Sequence, residues 1–300
     1  MSPSILVVWL ITCAIWSTVY LFIKIGVRDV PPVTFAAFRL GAAVAILAPL
    51  TVARGTALPR RPRDWLLIAA TGFVLLGVNY ALLNWGIQFI SSGLAAVLQA
   101  LTPAFGFVFA HVLLHDEKMT RVKGVALLLG IAGVAAICSH QLRLSGPAAL
   151  WGSVAVVASS ACVAIAYVVM RRHGGHLHPS VVTAGQMLAA IGPLAVYGAL
   201  VEGNPVRVPW TRAAVLAGLY LAIFGSITAA WLNYWLLKRI GATRLLVMGL
   251  VEPLVAVLLG VAFLGEAMTG WTLAGGVCIL VGVALVLDIF ARPAAPDARL

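Results

Sequence analysis

The chain has 300 residues, of which 62% are hydrophobic and 10% are charged, and its mean hydropathy is +1.06. Soluble domains carry about 25% charged residues, so this composition excludes a soluble protein and indicates an integral membrane protein. The formal net charge of +11 does not indicate nucleic-acid binding, because the basic residues stand singly or in short clusters between apolar runs. The four cysteines have neither metal-ligand nor disulfide-framework spacing, so no metal site and no cofactor is predicted.

Ten apolar segments follow one another along the chain. A helix that crosses a hydrocarbon core of about 30 Å needs roughly 20 residues. The predicted segments are 5–27, 33–53, 65–86, 92–114, 122–138, 148–170, 180–201, 212–236, 243–264 and 271–290. Short connections with turn and charge signals, such as RGTALPRRPRD and HDEKMTRVK, separate them. The first segment lacks a basic start and a cleavage site, so it is predicted to be a retained span.

The distribution of Lys and Arg predicts the orientation in the membrane. Fourteen of these residues fall on the side that would hold both termini, five fall on the other side, and Arg39 completes the twenty. Positive charge accumulates on the cytoplasmic side, so both termini are predicted to be cytoplasmic in the cell (inner) membrane. The side on which the first segment starts is called the predicted cytoplasmic side below, and the opposite one the predicted outer side.

The second half of the chain repeats the first. ISSGLAAVLQALTPAFGFVFAHVLL aligns with IGATRLLVMGLVEPLVAVLLGVAFL, which places Pro103 on Pro253, and a similar shift places Tyr20 on Tyr167. Because each copy has five segments, an odd number, the second copy enters the membrane from the opposite side. The predicted fold is an all-α integral membrane protein of ten transmembrane helices in two inverted five-helix repeats. The repeats are residues 1–140 and 141–300.

The motifs and their doubled order resemble the EamA-type members of the drug/metabolite transporter superfamily. The motifs are WSTVYLFIK, PVTFAAFRL, TPAFGFVFAHVLLHDE and EPLVAVLLGVAFLGE. The resemblance covers nearly the whole chain, is greatest to YddG-type amino-acid exporters, and implies a central cavity between the halves and transport of small metabolites. Two features depart from the pattern: Gln186 stands where the first copy has Arg39, and HDE replaces the simpler GE turn.

Polar and aromatic residues inside apolar segments are the candidate cavity residues, because polar groups facing lipid are costly. Phe73, Gly77, Tyr80, Asn84 and Gln88 recur on one face of the third segment. We expect this face to line the cavity, with Tyr80 as the strongest candidate. Hydrogen bonding between helices is the alternative role.

Further aromatic candidates lie in three other segments. Tyr20 and Tyr167 occupy equivalent positions in the two repeats, Trp16 lies deeper in the first segment, and Trp231 precedes Asn233 in the eighth. All are predicted to line the cavity. The alternative is packing or anchoring at the membrane interface, which is common for Trp and Tyr.

Two prolines mark equivalent positions where a helix is expected to kink. Gln99 lies four residues before Pro103, and Glu252 directly precedes Pro253. Proline removes a backbone donor, and transporters place substrates at broken helices near the midplane, although a bend alone is the alternative. An intramembrane carboxylate such as Glu252 can hold a substrate amine, bind a proton or neutralise a base. Glu266 is expected in a helix-terminal or hinge position.

Arg39 lies about eight residues inside its segment, a depth of roughly 12 Å. An unpaired arginine costs roughly 2.5 to 3.5 kcal/mol at a helix centre, so we expect an interior partner, with Glu252 the nearest candidate by depth. Snorkelling to the headgroups is the alternative. Gln186, at the equivalent position, is also a predicted cavity residue.

These features predict a transporter that exports amino acids, including aromatic and apolar ones, or related metabolites by alternating access. The predicted partners are a small-molecule substrate and the lipid bilayer, and a monomer fits. Export of another metabolite or a drug is the first alternative, and a scaffold or receptor without transport is another. A lipid-modifying enzyme is a remote alternative, because the sequence has no HExxH, no GxSxG and no acidic cluster for two metals, so no enzyme is predicted.

Overall fold

A computed structural model describes residues 3–53, 56, 58–113, 121–144, 146–229, 231–232, 235–236, 239, 248–267 and 269–286. The α-helices in chain order are α1 Pro3–Asp29, α2 Pro32–Ala53, α3 Pro62–Gly72, α4 Asn79–Gly86, α5 Ser92–Gln99, α6 Thr102–Leu113, α7 Arg121–Leu144, α8 Gly146–His173, α9 Pro179–Tyr197, α10 Arg212–Tyr220, α11 Met248–Leu264 and α12 Gly270–Val286. Three π-helical segments, π1 Phe73–Val78, π2 Gly198–Glu202 and π3 Leu221–Thr228, continue α3, α9 and α10, and a 3₁₀ turn covers Pro205–Arg207.

In the described part of the chain, six helices are long and apolar enough to cross a membrane. They are Pro3–Asp29, Pro32–Thr51, Pro62–Gly86, Ser92–Leu113, Gly146–His173 and Pro179–Glu202. Four shorter apolar helices, Gly124–Ala136, Arg212–Thr228, Val251–Leu264 and Gly270–Leu285, coincide with the other predicted segments. The regular elements in the described part of the chain are all helical. The chain is therefore a helical membrane protein, and the count of ten spans stays a prediction.

The two equivalent prolines have different surroundings. α5 ends at Gln99 and α6 begins at Thr102, so Pro103 lies in the first turn of a new helix, where its missing N–H is tolerated. The Thr102 hydroxyl donates to the Gln99 carbonyl at 2.8 Å, which satisfies an acceptor at the break. Pro253 instead lies inside the continuous helix α11.

The π-helical segments π1 and π3 lie at nearly equivalent positions of the two predicted repeats. A π-helical turn inserts an extra residue and is common at functional sites. Here π1 ends directly before Asn79 and Tyr80, and π3 contains Ser226. The extra residue in each segment therefore changes the direction in which nearby side chains, such as Tyr80 and Ser226, project from the helix.

The largest cluster of buried apolar side chains lies toward the predicted outer side. It joins the first turns of α2, α5 and α10, with Phe35, Leu94 and Ala214 fully buried. The second half of α1 contributes Ile23 and Val27. Both halves of the chain therefore meet in a dense core at this end of the molecule.

Helices α4 and α8 approach closely at a pair of glycines. A Cβ on Gly86 would lie 2.6 Å from the carbonyl oxygen of Gly152, and a Cβ on Gly152 would lie 2.8 Å from that of Gly86. Small residues allow such backbone contact between membrane helices. The two glycines therefore set the distance between α4 and α8.

Gly152→Ala is expected to destabilise the protein by about 1–3 kcal/mol, because the added methyl group meets backbone that cannot move aside. Gly192→Ala is the matched control, since a Cβ at Gly192 has no neighbour within 4 Å. Thermal unfolding of the detergent-purified variants should show a lower Tm for Gly152→Ala alone. Equal Tm values for the two variants would contradict the close contact.

Candidate functional site

Arg39 lies between helices of the two halves and is only 3% exposed. Its guanidinium carbon lies 4.5 Å from the centroid of the Tyr80 ring in α4, and its Nε donates to the Ser226 hydroxyl in π3 at 3.3 Å. A cation over an aromatic face gains about 2 kcal/mol when it is removed from water. A ring and a hydroxyl neutralise no charge, so the guanidinium keeps its positive charge, which can attract an anion.

Glu252 provides a buried carboxylate on α11. Its Oε1 atom is buried and has no hydrogen-bond partner within the described part of the chain. The carboxylate is close enough to Cys13, Tyr20 and Tyr167 to interact with them electrostatically. A buried acceptor without a partner is costly, and it is the kind of group that a ligand can satisfy.

Two tyrosines lie in the same region as these charged groups. The Tyr80 ring lies against Arg39, and Tyr167 is near both Tyr80 and Glu252. The described ion pairs do not include one between Arg39 and Glu252, the candidate pair that depth in the membrane suggested. The actual partners of Arg39 are the Tyr80 ring and Ser226, which lie beside it in three dimensions.

A cavity of about 330 Å³ leads toward this region. Its lining comes from the end of α2, the start of α9 and the segment around π3: Leu47, Leu50, Thr51, His178, Pro179, Ser180, Thr183, Ser226, Ile227, Thr228 and Trp231. The end of α2 and the start of α9 belong to the predicted cytoplasmic side. The cavity therefore extends from that side to Ser226, the hydrogen-bond partner of Arg39.

Three predicted polar residues make hydrogen bonds between helices. Gln186 donates to the Thr71 hydroxyl at 3.0 Å, and Gln99 donates to the Ser159 hydroxyl at 2.8 Å. Asn84 donates to the Pro32 carbonyl at 3.1 Å, while its Oδ1 has no hydrogen-bond partner in the described chain. These contacts match the alternative role of interhelical bonding, and a further role in the cavity stays a prediction.

The remaining predicted residues have diverse surroundings. Trp231 lines the cavity, and Trp16 and Tyr20 are half-buried in α1. Tyr167 is 60% exposed, which leaves much of its ring available. Asn233 lies outside the described residues.

Ser226 is a small polar residue in an apolar run, and no sequence pattern marked it as a candidate. It both contacts Arg39 and lines the cavity. Gly225 beside it also lies close to the arginine, since a Cβ there would be in van der Waals contact with Nη2 at 3.4 Å.

Comparison with known proteins assigns the chain to a family. The model of the EamA-like transporter family matches residues 3–139 and, a second time, residues 150–288. The chain belongs to the EamA-like transporter family. The resemblance inferred from the doubled motifs is thus confirmed, and the protein is a membrane transporter.

The transporter has relatives in several bacteria. It is 32% identical to the uncharacterized inner membrane transporter YedA of Escherichia coli (strain K12), over 94% of this chain and 90% of YedA. It is 25% identical to the uncharacterized transporter YoaV of Bacillus subtilis (strain 168), over 93% and 94%. It is 28% identical to a probable amino-acid metabolite efflux pump of Salmonella typhimurium, over 94% and 93%. These relatives are named as transporters or efflux pumps, which argues against the enzyme alternative.

A solved crystal structure has the same fold as this EamA-like transporter. The two superimpose with a TM-score of 0.66 at 21% sequence identity, over 97% of this chain and 99% of the other. The helical arrangement described above therefore recurs in a protein of distant sequence.

Proposed function

We propose that this transporter exports amino acids or related small zwitterionic metabolites by alternating access. The observation that carries the proposal is the presence of buried Arg39 and of Glu252, whose Oε1 is buried without a partner, with no ion pair between them among the described residues. In this proposal ten spans form two inverted five-helix repeats, with both termini cytoplasmic. The relative named as a probable amino-acid metabolite efflux pump supports the same substrate class.

Charge complementarity favours a zwitterion over a singly charged substrate. An isolated charge inside a protein is costly unless a partner compensates it. The planar guanidinium of Arg39 suits a carboxylate, which it binds through two parallel hydrogen bonds. The unpartnered oxygen of Glu252 suits an ammonium group. An amino acid brings both groups, so it neutralises both ends of the site at once.

Aromatic rings supply the surface for the substrate side chain. Tyr20, Tyr80 and Tyr167 combine apolar rings with hydroxyl groups, which suits amino acids with aromatic and apolar side chains. The other proposed contacts are those predicted from the sequence: Trp16, Asn84, Gln99, Gln186, Trp231 and Asn233. The cavity extends from the predicted cytoplasmic side, so substrate enters from there and export follows when that side closes and the other opens.

Efflux of radiolabelled amino acids from proteoliposomes tests the proposal. We expect flux by the unmodified protein and loss of flux in the double variant Tyr80→Ala, Glu252→Gln. Tyr197→Ala is the matched control, because Tyr197 is exposed at the far end of α9. Unchanged flux in the double variant would overturn this site.

The same liposomes separate the alternatives for substrate and energy source. Flux of organic cations or neutral drugs in place of amino acids would favour the drug-exporter alternative. Flux that follows the substrate gradient alone, without a proton gradient, would remove the proton-carrier role from Glu252 and leave its role in ammonium binding.

A further inference from the structure

Glu202, the last residue of π2, binds the start of α2 across the two halves of the chain. Its Oε1 accepts from the Val33 N–H at 2.9 Å. Its Oε2 accepts from the Thr34 N–H at 2.7 Å and from the Thr34 hydroxyl at 2.8 Å. One carboxylate thus takes three hydrogen bonds from the first turn of α2.

Glu266 makes the same kind of contact at the start of α5. Its Oε1 accepts from the Ser92 N–H at 2.7 Å, and its Oε2 accepts from the Ser92 hydroxyl at 2.8 Å and the Gly93 N–H at 3.3 Å. Gly265, with φ of +63°, turns the chain after α11 so that Glu266 faces α5. A Cβ on Gly260 would overlap the Glu266 carboxylate, so glycine is needed there.

Both contacts are strong for the same reason. The first turn of a helix has N–H groups without helical partners and a partial positive charge, and a carboxylate satisfies both. Hydrogen bonds to an ionised acceptor are about twice as strong as neutral ones. Each contact joins the two halves at the predicted outer side, so the outer ends separate only if these bonds break.

Among the described residues, no carboxylate binds the opposite ends of α2 and α9, and the two halves meet on that side through the Asp64–His176 contact at 3.1 Å and the donation from Arg172 to the Leu113 carbonyl at 2.6 Å. The first turn of α9 lines the cavity, and its Ser180 N–H is bound only at 3.4 Å by Nδ1 of the neighbouring His178. No acidic residue lies between Asp29 and Asp64 in the sequence, so the end of α2 has no counterpart of Glu202. Glu117, the counterpart of Glu266 in the repeat, lies outside the described residues. Within the described residues, the antiparallel pair α2 and α9 is thus joined by a carboxylate at the outer end and lines a cavity at the other.

We propose that Glu202 and Glu266, with the helix starts they bind, form two outer latches that hold the predicted outer side closed. The latches make the state open to the predicted cytoplasmic side the resting state, and both must release before substrate leaves outward. The proposal rests on the alternating-access cycle but not on the substrate. Its test below uses no substrate, so a wrong substrate class would leave the result unchanged.

Cysteine accessibility in nanodiscs tests the outer latches, because both faces of the protein meet the reagent there. In a background with the four native cysteines replaced by alanine, Thr183→Cys reports the cavity and Ala217→Cys reports the buried outer core. In the variant Glu202→Gln, Glu266→Gln we expect the Ala217→Cys reporter to react with a methanethiosulfonate reagent about tenfold faster and the Thr183→Cys reporter to react more slowly.

Faster reaction at Ala217→Cys together with slower reaction at Thr183→Cys distinguishes release of the latches from unfolding, because unfolding would speed both reactions. Asn204→Ala is the matched control, because the Asn204 side chain bonds the Val206 N–H within one loop of the same face. Thr34→Val and Ser92→Ala each remove one hydroxyl donor and keep the charge, so they should shift both reporters in the same directions by less. Unchanged reaction rates, or faster reaction of both reporters, in the folded double variant would overturn the proposal.

Discussion

Replacement of Arg39 by glutamine is expected to lower amino-acid efflux by about ten- to a hundredfold, the effect of losing a hydrogen-bonded charge partner in a buried site. The same variant should export the matching amine, which lacks a carboxylate, as fast as the unmodified protein does. Initial rates of efflux from proteoliposomes, measured for an amino acid and its decarboxylated amine in parallel, provide the readout.

Two further variants test whether the contact with Tyr80 matters as well as the charge. Arg39→Lys keeps the charge but loses the planar group that lies against the Tyr80 ring, so we expect an intermediate rate. Arg28→Gln removes an equal charge at an exposed position near the end of α1 and should leave efflux unchanged. Equal losses in Arg39→Gln and Arg28→Gln would show that net charge, not substrate contact, decides the rate.

Replacement of Glu252 by glutamine is expected to change which substrates move. Efflux of an amino acid should fall about ten- to a hundredfold, because its ammonium group loses the only carboxylate proposed to bind it. Efflux of the deaminated carboxylic acid should be unchanged or faster, since a neutral amide no longer repels an anion. The ratio of the two rates, measured in one preparation, separates this effect from a loss of folded protein.

Glu252→Asp provides the conservative comparison. It keeps the charge at a shorter reach, so the preference for the amino acid over the carboxylic acid should persist at a lower rate. If Glu252→Gln lowered both rates equally, Glu252 would act in the conformational cycle or in packing and not in recognition of the ammonium group.

Hydropathy predicted the positions of the helices well. The segments predicted at 33–53 and 148–170 correspond to Pro32–Ala53 and Gly146–His173, since apolar length and flanking proline or glycine are local properties. The difference between the two equivalent prolines was not predictable. The helix breaks before Pro103, where Thr102 bonds the Gln99 carbonyl, and continues through Pro253.

Depth in the membrane was a poor guide to the partner of Arg39. It selected Glu252 because the two positions lie at similar depths, but depth does not say which helices are neighbours. Packing places Tyr80 and Ser226 beside the guanidinium and leaves Glu252 Oε1 without a hydrogen-bond partner among the described residues. The sequence correctly favoured an interior position for Arg39, which is buried.

Composition and hydropathy were enough to establish a helical membrane protein with a doubled pattern, in which a few charged and aromatic residues lie inside apolar segments. Which polar residues meet became visible only in the packed molecule, because contacts such as that of Glu202 with Thr34 join residues far apart in the chain. The packing of the helices also shows that the cavity extends from the predicted cytoplasmic side to Ser226. Composition and hydrophobic periodicity are local properties of each helix. Closure of the predicted outer end depends instead on which helix start each carboxylate reaches once the helices have packed.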